Sequence, residues 1–398
     1  MRVLFTIYLI HFAYTVGLAQ GTPKSEDDAS IDVAAYFWPS LQNEVRSRET
    51  LWGDGIGEWQ VIKQCEPRFE GHYQPRQPLG GYTLDDDPVV MEQQIEEATD
   101  YGVNVFIFDW YWYGGEPFLE EALNDGFLQA KNKDDMRFYL MWANHDVPGN
   151  MWNPYRYKTD SLLYEGSVTQ TEYEALVARI VTKYFSQSNY YTIDNKPVMS
   201  LYSLDELVQS FTDLAGVKQA LDYFQAEAEK AGFDGIHWQL VGKYGPDNVP
   251  SLGEEGRYLN VAEVVQQLAA NSVTMYNMAG NEYRTGDYLP YLAKSIEVRQ
   301  RWDSALTVSF VPCVSVGWDN TPRYLEMGKD EIIYYHNTPA SFGAGLLKAK
   351  QYVQDRPEQP QLIIVNAWNE WVEGSYLRPD LLNGYGYLEE VRRIMSNE

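Results

Sequence analysis

The sequence predicts a single (β/α)8 barrel with an elaborated first βα loop. Three observations lead there: eight short apolar runs rich in β-branched and aromatic residues recur along the chain, helical patterns separate them, and no Gly-rich nucleotide loop follows the first run. Runs buried on both faces and alternating with helices imply a parallel sheet. Eight such units in 398 residues fit a closed barrel better than a doubly wound open sheet.

The runs occupy residues 31–39, 103–113, 137–145, 197–203, 236–244, 272–278, 306–316 and 362–368. Amphipathic patterns predict helices over 89–101, 173–185, 217–231, 261–270, 289–302 and 342–356. The first connection, residues 40–87, is rich in Gly, Pro and aromatics and is expected to fold over the barrel mouth. Residues 1–19 read as a cleaved leader, because Arg2 precedes an uncharged run that ends in Gly17-Leu18-Ala19. The competing reading, a membrane anchor, is weakened by His11 and Thr15 and by the shortness of the run. Residues 20–30 form a polar lead-in, and residues 31–398 the barrel. A secreted or periplasmic location is therefore expected, with no lipid-bearing cysteine near the cleavage site and no later membrane span. Cys65 and Cys313 are the two cysteines, compatible with one bridge or two free thiols.

The balance of 57 acidic to 31 basic residues, a net charge of -26, repels phosphate backbones and anionic lipid surfaces. Nucleic-acid and membrane-surface partners are disfavoured, and neutral substrates fit better. Five scattered histidines without His-Glu-x-x-His or Cys-x-x-Cys spacing give no metal site, and no cofactor is expected. Gly-x-Ser-x-Gly is absent, so no serine-esterase elbow is expected, and Gly53-Asp54-Gly55-Ile56-Gly57 reads as a turn.

Barrels of this kind carry chemistry at the C-terminal ends of their strands. Those ends supply Tyr36, Trp110, Trp112, Trp142, Asn144, His145, Tyr244, Tyr276, Trp318, Asp319, Asn369 and Trp371 as candidate substrate-binding residues. Flat rings stack on sugar faces, while Asn, Asp and His hydrogen-bond hydroxyls, so a polysaccharide or oligosaccharide is the expected partner. The last run passes into Asn369-Glu370-Trp371-Val372-Glu373-Gly374, which sets two carboxylates three residues apart where strand gives way to turn. In a continuing strand they would face opposite sides; in a helical turn they would share one, and Gly374 favours a bend. If both reach one cavity, the rings of Trp368 and Trp371 and mutual repulsion should push their pKa values apart, leaving one acid and one base. Glycosidic cleavage needs such a pair, so Glu370 and Glu373 are the candidate catalytic residues. A solvated turn or an acid-attracting helix N-terminus is the alternative reading of the same spacing.

These residues resemble the glycoside hydrolase family 99-like, or WbsX-like, group over nearly all of the chain beyond the leader. The matching stretches are WGDGIGEW (52–59), FEGHYQPRQP (69–78), FIFDWYWYG (106–114), WAN (142–144), GWDNTPR (317–323), NAWNEWVEG (366–374), LRPD (377–380) and GYGYLE (384–389). The resemblance implies a (β/α)8 barrel and a retaining, endo-acting hydrolase of α-linked, manno- or rhamno-configured chains. By that resemblance Glu370 would take the proton of the sugar 2-hydroxyl, whose oxygen attacks the anomeric carbon to give a 1,2-anhydro sugar. Glu373 would protonate the leaving oxygen and then activate water. Val372 stands where the characterised mannosidases carry histidine, and His145-Asp146 where WbsX-like members continue with Glu-Asn, so mannose specificity does not carry over. Two rivals remain: a glycosyltransferase of polysaccharide synthesis, and a non-catalytic carbohydrate-binding barrel.

Overall fold

The computed structural model describes residues 30–242, 249–250, 258–259, 261–278, 284–326, 328 and 331–396. The leader and most of the lead-in expected over residues 1–30 lie outside the described residues, and residues Ile31–Glu398 form one compact unit.

Parallel strands run in the order β1 (Asp32–Phe37), β2 (Val105–Tyr113), β3 (Arg137–Trp142), β4 (Lys196–Leu201), β5 (His237–Gly242) and β6 (Ser272–Met275). The seventh position is divided. β7 (Ser309–Phe310) pairs with β6, and β8 (Cys313–Ser315) pairs with β9 (Leu362–Asn366), which returns to β1. A single strand was expected over 306–316. Pro312 has no N–H to give to a ladder, so the chain changes partner there: Val311 N–H bonds Val273 on one side and the Pro312 carbonyl accepts from Ile364 on the other. The ring of eight positions is thereby joined.

Helices α1 (Pro88–Asp100), α2 (Gln170–Arg179), α3 (Leu204–Phe211), α4 (Leu214–Lys230), α5 (Val261–Leu268), α6 (Tyr288–Ala305), α7 (Pro339–Gln354) and α8 (Gly386–Met395) connect or close the strands. Local chemistry sets their starts. Asp87 caps α1 by accepting the Val89 N–H, with Pro88 in the first turn, and Thr169–Glu172 forms a capping box on α2. α3 and α8 go beyond the helices read from the sequence. The β2–β3 connection has no α-helix of its own among the described elements: it holds a short strand (Glu116–Phe118) that folds back on the end of β2, a π-turn (Ala122–Gly126) and two 3-10 turns (Phe127–Gln129 and Lys133–Asp135).

Two layers of packing follow from strand alternation. Phe106, Phe108, Phe127, Phe138 and Trp368 pack ring against ring, and burial of each side chain contributes roughly 1.5–3 kcal/mol. Inside the barrel Tyr139 and Ser200 both bond Gln239 at 3.2 Å, which satisfies buried polar atoms. The first loop packs against the seventh, since Arg68 donates to the Tyr324 and Leu325 carbonyls. Among the described residues both cysteines are unbridged, and no helix is long and apolar enough to cross a membrane.

Candidate active site

A cleft of about 580 Å³ opens at the C-terminal ends of the strands. Past β9 the chain makes a small hairpin in which Asn369–Glu370 pairs antiparallel with Ser375–Tyr376. Trp371 to Gly374 form its turn. An extended residue followed by a turn, rather than a continuing strand or a helix, brings Glu370 and Glu373 to the same cleft. Gly374 has φ +66°, and a Cβ there would stand 2.5 Å from Arg76 Nη2.

A buried ion pair secures that turn. Asp319 binds Arg76, and accepts from His72 Nε2 at 2.9 Å and from the Thr321 hydroxyl at 2.7 Å. His72 Nδ1 accepts the Arg68 N–H at 3.0 Å, which assigns the proton to Nε2. Burial alone would raise the Asp319 pKa, but the Arg76 charge and the His72 bond outweigh it and hold the carboxylate well below its ordinary range. The pair grips the hairpin from outside: Asp319 N–H donates to the Glu373 carbonyl at 2.7 Å, and Arg76 Nη1 to the Trp371 carbonyl at 3.0 Å.

Arg323 organises the acids themselves. Its Nε donates to Glu373 at 2.8 Å, its Nη2 lies 3.5 Å from Glu370, and its Nη1 lies 3.4 Å from Glu58. Burial works against the Arg323 charge, but Glu373, Glu58 and Glu370 outweigh it and hold the guanidinium protonated. Glu370 is 2% exposed, and burial, then the Glu373 charge, push its pKa well above the ordinary carboxylate value, with Arg323 opposing. Burial also raises Glu58, whose second oxygen accepts from Trp38 Nε1 at 2.6 Å and Ser40 at 2.8 Å. Tyr276 reaches the other face of Glu370, with its hydroxyl 3.2 Å from Oε2.

Of the residues read from strand ends, His145, Tyr276 and Trp318 line the cleft with Glu370 and Glu373. Others do not. Trp110 and Trp112 stack on each other, and Trp110 Nε1 bonds Glu120 at 2.7 Å, behind the cleft wall. Trp142 packs on Tyr173 on the helix side of β3. The physical reason is alternation: on β2 Asp109 and Tyr111 face the cleft, so Trp110 and Trp112 face the helices. Tyr36 shares the face of Trp38 but sits one step deeper, with its ring 4.8 Å from Tyr276 and no exposed surface. Asn144 clamps the ends of β3 and β4 by bonding both backbone groups of Ser203, at 2.7 and 2.8 Å.

Asn369 bonds both backbone groups of Trp38 and also Asp85, so it holds the wall rather than the ligand. Trp371 stacks on Tyr376 at 3.9 Å, and Trp368 donates to Gln94; neither supplies the apolar surround expected for the acids. That role falls to Trp38, Tyr111, Trp152 and Tyr276. Asp319 lines a neighbouring pocket of about 310 Å³ that shares Trp318 and Tyr334 with the cleft. Tyr244 lies outside the described residues. Strand-end reasoning missed Glu58 and Arg323. Among the described residues no group of His, Cys, Asp and Glu could hold a metal ion.

A family model described as Glycosyltransferase WbsX matches residues 33–391. The chain belongs to the WbsX family. This WbsX-family chain is 27% identical over 392 residues to the uncharacterized protein WxcX of Xanthomonas campestris pv. campestris. The match covers 97% of the chain but 52% of WxcX, so the chain spans about half the length of the curated relatives it matches. In fold it is similar to the GH99 endo-alpha-mannosidase of Bacteroides thetaiotaomicron in complex with BIS-TRIS-Propane. That likeness has a TM-score of 0.55 at 13% identity and covers 92% of this chain and 96% of the mannosidase. A glycoside hydrolase-like protein is similar with a TM-score of 0.59 at 13% identity, over 96% of this chain and 98% of that one. The fold of this chain is therefore shared with these barrel structures.

Proposed function

We propose that this chain is a glycoside hydrolase that cleaves α-linked, manno- or rhamno-configured polysaccharide or glycan chains, internally and with retention. One observation supports the reading above others: two carboxylates three residues apart meet in one cleft and share a guanidinium, one of them buried and the other held by a short bond. Such asymmetry gives the two acids unlike proton affinities, as an acid–base pair needs, although in the ligand-free cleft burial favours the proton on Glu370, so the roles below require the proton to leave Glu370 when the sugar binds.

In this reading Glu370 takes the 2-hydroxyl proton, and the 2-oxygen displaces the leaving oxygen, which Glu373 protonates. Water activated by Glu373 then opens the 1,2-anhydro sugar. The ligand-free electrostatics add a condition: burial favours the protonated form of Glu370, so its base form is reached only above its raised pKa. Attack from the 2-oxygen requires it to lie anti to the departing group, which an α-linked gluco configuration does not offer. Residues 1–19 are read as a leader, so the polymer is met outside the cytoplasm; the mature N-terminus, sequenced from the native host, tests this.

The decisive experiment is product release from α-mannans, rhamnose-containing polysaccharides and sulfated algal polymers, by wild type beside Glu370→Gln and Glu373→Gln. Oligosaccharides from wild type alone support the hydrolase. The family description favours a second reading, glycosyl transfer. Transfer from a nucleotide sugar, with no release from any polymer, would establish that instead. Equal binding by all three proteins without turnover would leave a binding barrel.

A further inference from the structure

β2 is a run of nine buried residues, Val-Phe-Ile-Phe-Asp-Trp-Tyr-Trp-Tyr, and Asp109 is its one charged side chain. Asp109 is 4% exposed and lines the cleft beside Tyr111 and Glu370. A carboxyl in such a place is costly unless it is paired, or unless it neutralises itself. Among the described residues no cation pairs with it, since Arg323 is spent on Glu58, Glu370 and Glu373. Its Oδ2 lies 3.4 Å from the Tyr276 hydroxyl, and its Oδ1 has no hydrogen-bond partner among the described residues. Burial, opposed by Tyr276, pushes its pKa well above the ordinary carboxylate value. An aspartate that served the fold would bond backbone donors or a cation. Among the described residues this one does neither.

Tyr276 stands between two acids, 3.4 Å from Asp109 and 3.2 Å from Glu370. Two hydrogen-bond lengths are within the span of one pyranose ring, so a single sugar is large enough to reach both acids. We propose that Asp109 is a sugar-binding residue of the reacting subsite, in which its carboxyl, half of it unpartnered, bonds a second, unsubstituted ring hydroxyl of the sugar that also meets Glu370. This deepens the hydrolase reading by naming a feature of the substrate: the ring next to the cleaved bond carries a free hydroxyl there, and a sulfate or acetyl group at that position is excluded. A buried polar atom left unpaired by a deoxy sugar penalises that analogue strongly.

The test uses methyl α-D-mannopyranoside, methyl α-L-rhamnopyranoside and their monodeoxy analogues, with affinity measured by NMR titration for wild type, Asp109→Leu and Asp109→Asn. Thermal unfolding of each variant confirms folding, and removing a buried carboxyl should leave the midpoint equal or higher. Wild type is expected to prefer one parent glycoside over one of its deoxy analogues by about tenfold or more, and Asp109→Leu to bring that ratio close to one. Asp109→Asn, which keeps an oxygen of the same shape, should retain part of it. An unchanged ratio in folded Asp109→Leu overturns the assignment, as does wild-type indifference to every deoxy position or failure to bind either parent. The hydrolase reading fails separately: a deoxy-sensitive wild type that releases nothing from any polymer keeps Asp109 as a sugar contact and removes the catalysis.

Discussion

Arg323 donates its Nε–H to Glu373 across 2.8 Å. Its outer nitrogen stays 3.5 Å from Glu370, so one cation serves the two acids unequally. Replacing Arg323 by Gln should lower polymer cleavage by about 10²-fold or more while leaving binding within a few-fold. Arg323→Lys, a point charge without the planar fork, should recover only part of the rate. Equal rates for wild type and Arg323→Gln would remove the guanidinium from the chemistry.

The pH–rate profile follows from burial. Glu370 must be ionised to act as base and its pKa is raised, so the acidic limb of kcat/KM should lie clearly above the ordinary glutamate value of about 4.3. Because Arg323 opposes the rise, Arg323→Gln should move that limb higher still. A limb near the ordinary value would argue against Glu370 as the base.

Stability should follow the same group. With its folded pKa above its unfolded one, Glu370 binds more protons in the folded chain between the two values, so its contribution to stability shrinks as pH rises through that window. Glu370→Gln should therefore melt at least about 2 °C above wild type at pH 8, with the gap narrowing towards pH 4. Paired thermal melts across that range measure it.

Gly374→Ala puts a methyl 2.5 Å from Arg76 Nη2 at a backbone of φ +66°. The strain should cost about 1–3 kcal/mol, and activity should fall further than stability because the turn carries Glu373. A fully active Gly374→Ala would show that the turn tolerates displacement.

Asp85 bonds Gln94 at 2.8 Å and Asn369 at 3.0 Å, lies 3.4 Å from Arg378, and burial pushes its pKa up to about 6. Asp85→Ala strands all three partners and should destabilise by about 3 kcal/mol, against about 1 for Asp85→Asn, in chemical unfolding.

The barrel was legible because its signal is local: strand and helix periods alternate along the chain, and six predicted helices correspond to α1, α2, α4, α5, α6 and α7. The Glu370–Glu373 pair was legible for a related reason, since a run of Ile and Val must end where acids begin. The walls were less so. On β2 the large rings of Trp110 and Trp112 drew attention, whereas the period of two puts Asp109 and Tyr111 on the cleft face. A lone charge in an apolar run was the better signal. Asp85 stands two residues before Asp87, which caps α1, and bonds Asn369 instead, a partner 284 residues away that no local pattern records. Glu58 and Arg323 lie in loops and meet only when residues 265 apart are folded together, which no local pattern records.

Among the described residues the hairpin that carries the two acids pairs only with itself, and it is held by clasps from the first and seventh loops. The spacing of the reacting groups is thus gauged by a turn of four residues and not by the girth of the barrel. Outer helices and distant loops are free to vary without retuning it, whereas one residue added between positions 370 and 373 would throw the instrument out of alignment while leaving its housing intact.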